Sequence, residues 1–206
     1  MIEGGRTRDE TVVDLIRDDG PMLVGLDFSF GFPAWFARAH RCTTIDEVWA
    51  LAAREGESWL RVEPPFWRER CDVPVEQRYR ACELRLRNAG FPAKSIFQLV
   101  GNGQVGAGSV RGMPLLARLR SEGFAIWPFD AAAERTAFEI YPTAMRAIVD
   151  LADDFLTPHD RDAAHTAVAM AMHADDLATL EAAIDPVTLL EGDVWMPPTV
   201  GNGCAS

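Results

Sequence analysis

The sequence lacks several patterns that would place it in a familiar class of protein. No apolar run approaches the roughly 20 residues that a membrane-spanning helix requires, and residues 1–10 contain no apolar signal-peptide core. The four cysteines form no C-x-x-C pair, which argues against a zinc site. We therefore expect a cytoplasmic protein with reduced thiols and no membrane partner.

Positive charge is also scarce. The formal net charge is −11, which argues against an extended, sequence-independent grip on nucleic acid, because phosphate binding depends on Lys and Arg. The acids concentrate in residues 130–193, with 14 acidic side chains against three arginines. Residues 54–94 instead hold nine bases and seven acids. That segment is typical of a solvated helical face, with a landing site for a phosphate-bearing ligand as the alternative.

Two catalytic signatures are missing as well. No G-x-S-x-G occurs, and the glycine-rich stretch 101–112, "GNGQVGAGSVRG", lacks the G-K-[ST] ending of a P-loop. The stretch contains the G-x-G-x-x-G spacing from Gly101 to Gly106, but we expect the next helix to span only 113–123. We therefore interpret it as a permissive loop near the site, in which a phosphate cradle is conceivable.

Three polar side chains are candidates for substrate binding. Ser109 and Arg111 lie in the glycine-rich stretch, and both are suited to contact phosphate oxygens. Tyr141 belongs to the motif E-I-Y-P, at the end of the predicted strand 136–141. All three are therefore predicted to lie near the site.

What the sequence does contain is an alternation of strand and helix patterns. The apolar run 22–28, "MLVGLDF", is typical of a strand buried on both faces. Further strands are predicted at 95–100, 124–129 and 136–141, and helices at 7–19, 113–123, 143–156 and about 160–184. This alternation predicts a single α/β domain over 1–206, with a helical insertion at about 34–94.

Three acids occupy corresponding places in these elements. Asp27 ends the first strand, Glu139 lies near the end of 136–141, and Asp162 lies in the first turn of the last helix. Taken singly, each has a structural alternative: a turn hydrogen bond for Asp27, a helix cap for Asp162, and an ion pair with an arginine for Glu139.

Together, the three carboxylates would repel one another unless cations lay between them. Ligands gather at the carboxyl ends of strands in open α/β sheets, and oxygen ligands suit Mg²⁺ or Mn²⁺. Asp27, Glu139 and Asp162 are therefore predicted as metal ligands and catalytic residues. His159 is predicted as a further ligand or a proton shuttle.

Six segments also resemble a known family, in the order in which the family has them. They are "VGLDFSFGFPAWF", "KSIFQLVGNGQVGAGSVRGMPLLARL", "FAIWPFD", "FEIYP", "HDRDAA" and "LEGDVWMP". The chain thus resembles the domain-of-unknown-function 429 family, described as predicted nucleases, over residues 6–198. The resemblance implies a ribonuclease H-like mixed sheet flanked by helices and a two-metal site. It assigns Asp27 and Asp162 as the core ligands, with Glu139 and His159 as assistants.

One departure from the ribonuclease H-like pattern affects the expected function. Such domains open with a three-stranded meander whose central strand carries the first catalytic Asp, and here those first strands are expected to be lost. The open strand edge would then be covered by a homodimer. Two interpretations follow: a divalent-metal-dependent nuclease or phosphodiesterase, or an inactive ribonuclease H-like module that binds a nucleotide, nucleic acid or a protein.

Overall fold

A small parallel sheet organises the protein. The computed structural model describes residues 14–18, 20–61, 64–68, 73–100, 105–151, 155 and 157–198. Within them, the strands are β1 (Met22–Leu26), β2 (Ala125–Trp127) and β3 (Arg135–Glu139), in the spatial order β1-β3-β2. The α/β prediction is confirmed. All described strands are parallel, so the predicted mixed sheet is wrong for this part of the chain.

Helices connect and cover these strands. They are α1 (Ala34–Ala39), α2 (Ile45–Trp59), α3 (Ala81–Asn88), α4 (Gly106–Ser121), α5 (Pro142–Met145), α6 (Pro158–Met172), α7 (Ala174–Ala178) and α8 (Thr188–Glu191), with a 3₁₀ turn at Val75–Gln77. Residues 14–17 are also helical, and the rest of the predicted helix 7–19 lies largely outside the described residues. Among the described residues, no helix has the length and apolar character needed to cross a membrane.

Helix α4 begins earlier than its composition suggests. It starts at Gly106 and keeps Pro114 in its interior, so the expectation of a helix over 113–123 is wrong at its start. Glycine weakens a helix by about 1 kcal/mol relative to alanine, but close packing requires it here. A Cβ at Gly106 would overlap the Ile96 carbonyl, and one at Gly112 would lie 2.6 Å from the Phe28 ring.

Other predicted elements are shorter than expected. Residues 95–100 contribute only an isolated bridge between Gln98 and Trp67, and the helix that opens at Pro142 ends at Met145. The last predicted helix divides at His173 into α6 and α7. The tertiary packing therefore divides long periodic patterns into shorter helices.

The predicted insertion, 34–94, packs into the same core as the sheet. The largest hydrophobic cluster combines buried side chains of α1, α2, α4 and β2. Trp49 of α2 is fully buried and donates from Nε1 to the Phe30 carbonyl at 2.8 Å. Cys42 and Cys82 are buried free thiols, in keeping with the reduced thiols predicted. The helical segment therefore stabilises the loop that follows β1.

Helix α6 packs closely on β1. A Cβ at Gly25 would lie 2.8 Å from Met170 Sδ and 3.2 Å from Thr166 Cγ2, so only glycine allows this approach without displacement. Thr166, Ala169 and Met170 of this helix are buried, while Ala163 and Ala167 are exposed. This packing places the start of α6 beside the end of β1.

Candidate functional site

A cavity of about 480 Å³ lies between β1 and α6. Asp27, at the end of β1, and both His159 and Asp162, at the start of α6, line it together. These are three of the four residues that the sequence predicted as catalytic. The structure therefore places two acids and a histidine from distant parts of the chain on one cavity.

Asp27 has an unusual electrostatic environment. Its pKa is raised from 3.8 to about 6, first by restricted hydration within the cavity and then by the negative charges of Asp162 and Glu139. His159 and Arg146 lower its pKa in part. The carboxylate remains open to solvent, so it is reachable by a ligand while the surrounding walls limit its hydration. Asp27 is therefore suited to proton transfer or to binding a cation.

Asp162 forms an ion pair with Arg146, the residue directly after α5. Arg146 Nη1 donates to Asp162 Oδ1 at 2.8 Å, and both side chains are partly buried. Because Arg146 follows α5 directly, this ion pair ties the end of β3 and α5 to the start of α6. Sequence reasoning missed Arg146, although it is one of only three arginines in the acidic segment.

Glu139 has a different environment from the other two acids. It is 3% exposed, and it accepts hydrogen bonds from Arg80 on both carboxylate oxygens. The Phe30 amide also donates to Glu139 Oε2 at 2.8 Å. Burial raises the Glu139 pKa and Arg80 lowers it. A role as a metal ligand, as predicted, would require Glu139 to compete with this ion pair.

Arg80 belongs to a buried cluster that the sequence did not reveal. Its side chain is 1% exposed and also bonds Glu83 Oε1 at 2.9 Å and the Glu191 carbonyl at 3.0 Å. The Glu191 carboxylate accepts from the first amides of two helices, Ala34 of α1 and Ala81 of α3. We name Arg80, Glu83, Glu139 and Glu191 the Arg80 cluster.

The basic segment 54–94 is largely engaged in internal contacts. Arg80 is buried, Arg85 pairs with Asp193, and Arg87 donates to the Ala93 carbonyl at 2.8 Å. Buried Arg80 fits neither the solvated helical face nor the phosphate landing site, whereas Arg85 and Arg87 are exposed on α3, in keeping with the solvated face. The sequence contains one weak indication of the contact between Arg80 and Glu83. The two residues have the spacing of a capping box at the start of α3.

The three predicted substrate contacts have different surroundings. Ser109 is fully buried, with its hydroxyl accepting from the Ser29 amide and donating to the Val105 carbonyl, both at 2.8 Å. Arg111 lies on the exposed α2–α4 surface and forms a bidentate pair with Glu57. Tyr141 lines a second, smaller cavity together with Asp27 and Glu139.

Tyr141 is coupled to Asp27 electrostatically. Burial raises the pKa of Tyr141, and the negative charge of Asp27 raises it further. The phenol therefore stays protonated at neutral pH and is available as a hydrogen-bond donor. Of the three predicted contacts, Tyr141 is the one that the structure brings to the candidate site.

The donor types at the cavity suit a hard cation, although the set is small. Among the described residues, no group of three or more His, Cys, Asp or Glu side chains is arranged to hold a metal ion. Asp27 and Asp162 nevertheless line one cavity. Mg²⁺ commonly uses one or two carboxylates and completes its coordination with water and phosphate oxygens. The residues present therefore fit a cation of this kind, but not a dedicated all-protein cage.

Comparison with protein-family models, with curated proteins and with solved structures gave no match.

Proposed function

We propose that the protein is a divalent-cation-dependent phosphodiesterase or nuclease of the ribonuclease H-like type, with its site in the cavity between β1 and α6. One observation supports this most directly: Asp27 and Asp162 line the same cavity, and the charge of Asp162 raises the Asp27 pKa. Two acids on one cavity, of which Asp162 is paired with Arg146 through Oδ1 alone, are suited to bind Mg²⁺ or Mn²⁺.

Each residue at the cavity then has a distinct role. Asp27 and Asp162 hold the cation, and Arg146 fixes the orientation of Asp162 through Oδ1. His159, exposed on the same cavity, transfers a proton to or from the reacting oxygen. A bound cation of this class polarises the phosphoryl group and activates water.

Glu139 acts as a positioning residue in this proposal. It binds the Phe30 amide through Oε2, and it pairs in register with Leu26, the residue before Asp27. Glu139 thus holds the chain before Asp27 through its backbone and after Asp27 through its carboxylate, and in this way fixes where Asp27 points. Arg80 neutralises Glu139 in this position.

The test is a calorimetric titration of the full chain with Mn²⁺. We expect wild type to bind Mn²⁺ and Asp27→Asn to lose at least about tenfold in affinity, because the number of charged ligands sets affinity at such sites. Asp175→Asn, which removes an exposed acid of α7, is the matched control and should bind like wild type. Absence of Mn²⁺ binding to wild type at millimolar concentration contradicts the proposal.

The competing function is an inactive module that binds a nucleotide or a protein. The ion pairs of Glu139 with Arg80 and of Asp162 with Arg146 favour it, because they neutralise two of the three predicted acidic ligands. Mn²⁺-dependent hydrolysis of bis(p-nitrophenyl) phosphate and of oligonucleotides separates the two. Turnover that Asp27→Asn abolishes supports the enzyme. Nucleotide binding without turnover supports the module.

A homodimer that covers the open edge of β1 remains part of the proposal. Each residue of β1 is only partly buried although the strand is apolar throughout, and β3 is its partner among the described strands. An apolar strand edge of this kind favours pairing with another strand. Sedimentation equilibrium that shows a monomer at micromolar concentration would count against the dimer.

A further inference from the structure

Both walls of the cavity change from polar to apolar in the same direction. Along β1, alternate residues face the cavity, and they run from Asp27 through Gly25 to Leu23. Along α6, the corresponding residues run from Asp162 to Met170. The contact of Gly25 with Met170 fixes how the two walls face each other.

The two gradients also have matching lengths. Asp27 and Leu23 are four residues apart along β1, and four residues of a strand rise about 13 Å. Asp162 and Met170 are eight residues apart along α6, and eight residues of a helix rise about 12 Å. The cavity therefore has one charged end and one apolar end, in place of a uniformly polar surface.

A buried hydroxyl lies between the two ends. Thr166 lines the cavity one helical turn after Asp162 and one turn before Met170, and it is 5% exposed. Its Oγ1 has no hydrogen-bond partner among the described residues. This oxygen is also closed to solvent, so it lies behind the cavity wall and takes no part in ligand binding.

We propose that the cavity binds a small organic phosphate. The phosphoryl group lies at the Asp27–Asp162 end, where the cation of the proposed function neutralises it, and this part of the inference rests on that function. The organic part lies against Leu23, Ile140 and Met170.

Cavity size and charge favour a small ligand over a polynucleotide strand. Small-molecule sites commonly enclose about 300–1,000 Å³, and this cavity of about 480 Å³ falls within that range. A strand of nucleic acid needs a track of free cations. Among the described residues, no lysine or arginine lines the cavity, and Arg146, which contacts the lining residue Asp162, is engaged in that ion pair.

Two phosphonates of equal charge provide the test. Phenylphosphonate and methylphosphonate differ in the apolar group, and neither has an ester bond to hydrolyse. In saturating Mn²⁺, calorimetry should show that wild type binds phenylphosphonate about tenfold more tightly or better, because the ring buries more apolar surface. Equal affinity for the two probes in a protein that does bind Mn²⁺ would overturn the inference and leave the proposed function standing.

Two variants test where the phenyl ring binds. Ala167→Phe fills the apolar end from an exposed position on α6, so it should remove the preference for the phenyl probe and preserve Mn²⁺ affinity. Ala53→Phe, at an exposed position of α2 outside the cavity, should retain the preference. A preference that survives Ala167→Phe places the ring elsewhere and contradicts the inference. A phenyl preference without any Mn²⁺ binding supports the cavity and refutes the proposed function.

Discussion

Asp27 and Glu139 end neighbouring strands, and yet their surroundings are opposite. Leu26 pairs in register with Glu139, so the two acids lie at the same end of the sheet. Glu139 is buried against Arg80, whereas Asp27 borders a cavity with Asp162. Burial raises both pKa values, but a cation opposes this effect at Glu139 and another acid reinforces it at Asp27.

The difference shows how the partner of an acid decides its role. A buried carboxylate with a bidentate arginine is fully hydrogen-bonded, and removing either member exposes the other to an environment that cannot solvate it. The repulsion between two neighbouring carboxylates is instead reduced when a cation binds between them. The Arg80 cluster therefore stabilises the fold, whereas Asp27 and Asp162 line an open cavity.

Removal of the arginine should have the largest effect. Arg80→Ala leaves Glu83 and Glu139 buried without their cation, and breaking such a pair costs about 3–5 kcal/mol. Urea denaturation should show a loss of stability of this size, or a chain that does not fold. Arg111→Ala, which removes an exposed pair with Glu57, should cost about 1 kcal/mol or less. Similar losses for the two variants would contradict the structural role of the Arg80 cluster.

Glu139→Gln should have an intermediate effect on stability and little effect on metal. The amide cannot accept from Arg80 on both sides, and an unsatisfied buried partner costs about 1–3 kcal/mol. Mn²⁺ affinity measured by calorimetry should stay close to that of wild type, unlike that of Asp27→Asn. If Glu139→Gln lost as much Mn²⁺ affinity as Asp27→Asn, Glu139 would be a ligand, as its sequence position first indicated.

The smallest effect should be the pH dependence that Asp27 contributes. Its folded pKa of about 6 lies above the usual 3.8, so the folded state favours the protonated acid. This contribution to stability is fully present below pH 3.8 and is lost as the pH rises through 6.

Asp27→Asn removes that titration. With a chelator present to remove metal ions, the unfolding free energy of the variant minus that of wild type should therefore increase between pH 4 and about 7. Above that range the difference should stay constant. Denaturation curves across this range provide the measurement, and Asp175→Asn provides the control. Curves for wild type and Asp27→Asn that run parallel with pH would show that Asp27 is not perturbed.

Local sequence patterns predicted the elements that hold the candidate site. The apolar run before Asp27 and the run around Glu139 are strands, and Asp162 lies early in a helix. The start of α4 could not be predicted, because glycine is required at position 106 by close packing against the carbonyls of Ile96 and Gln98. The partner of Glu139 could not be predicted either, since Arg80 lies 59 positions away and resembles any surface arginine.

The sequence by itself determined the α/β class, the order of the elements and the acids at their ends, because these depend on periodicity and on residues that are close along the chain. The tertiary structure decided which of those acids is neutralised. Burial and charge pairing depend on distances between side chains far apart in sequence, and these exist only after packing. Gly25 brings α6 onto β1, Arg80 reaches Glu139, and Asp27 is left facing Asp162 across an open cavity.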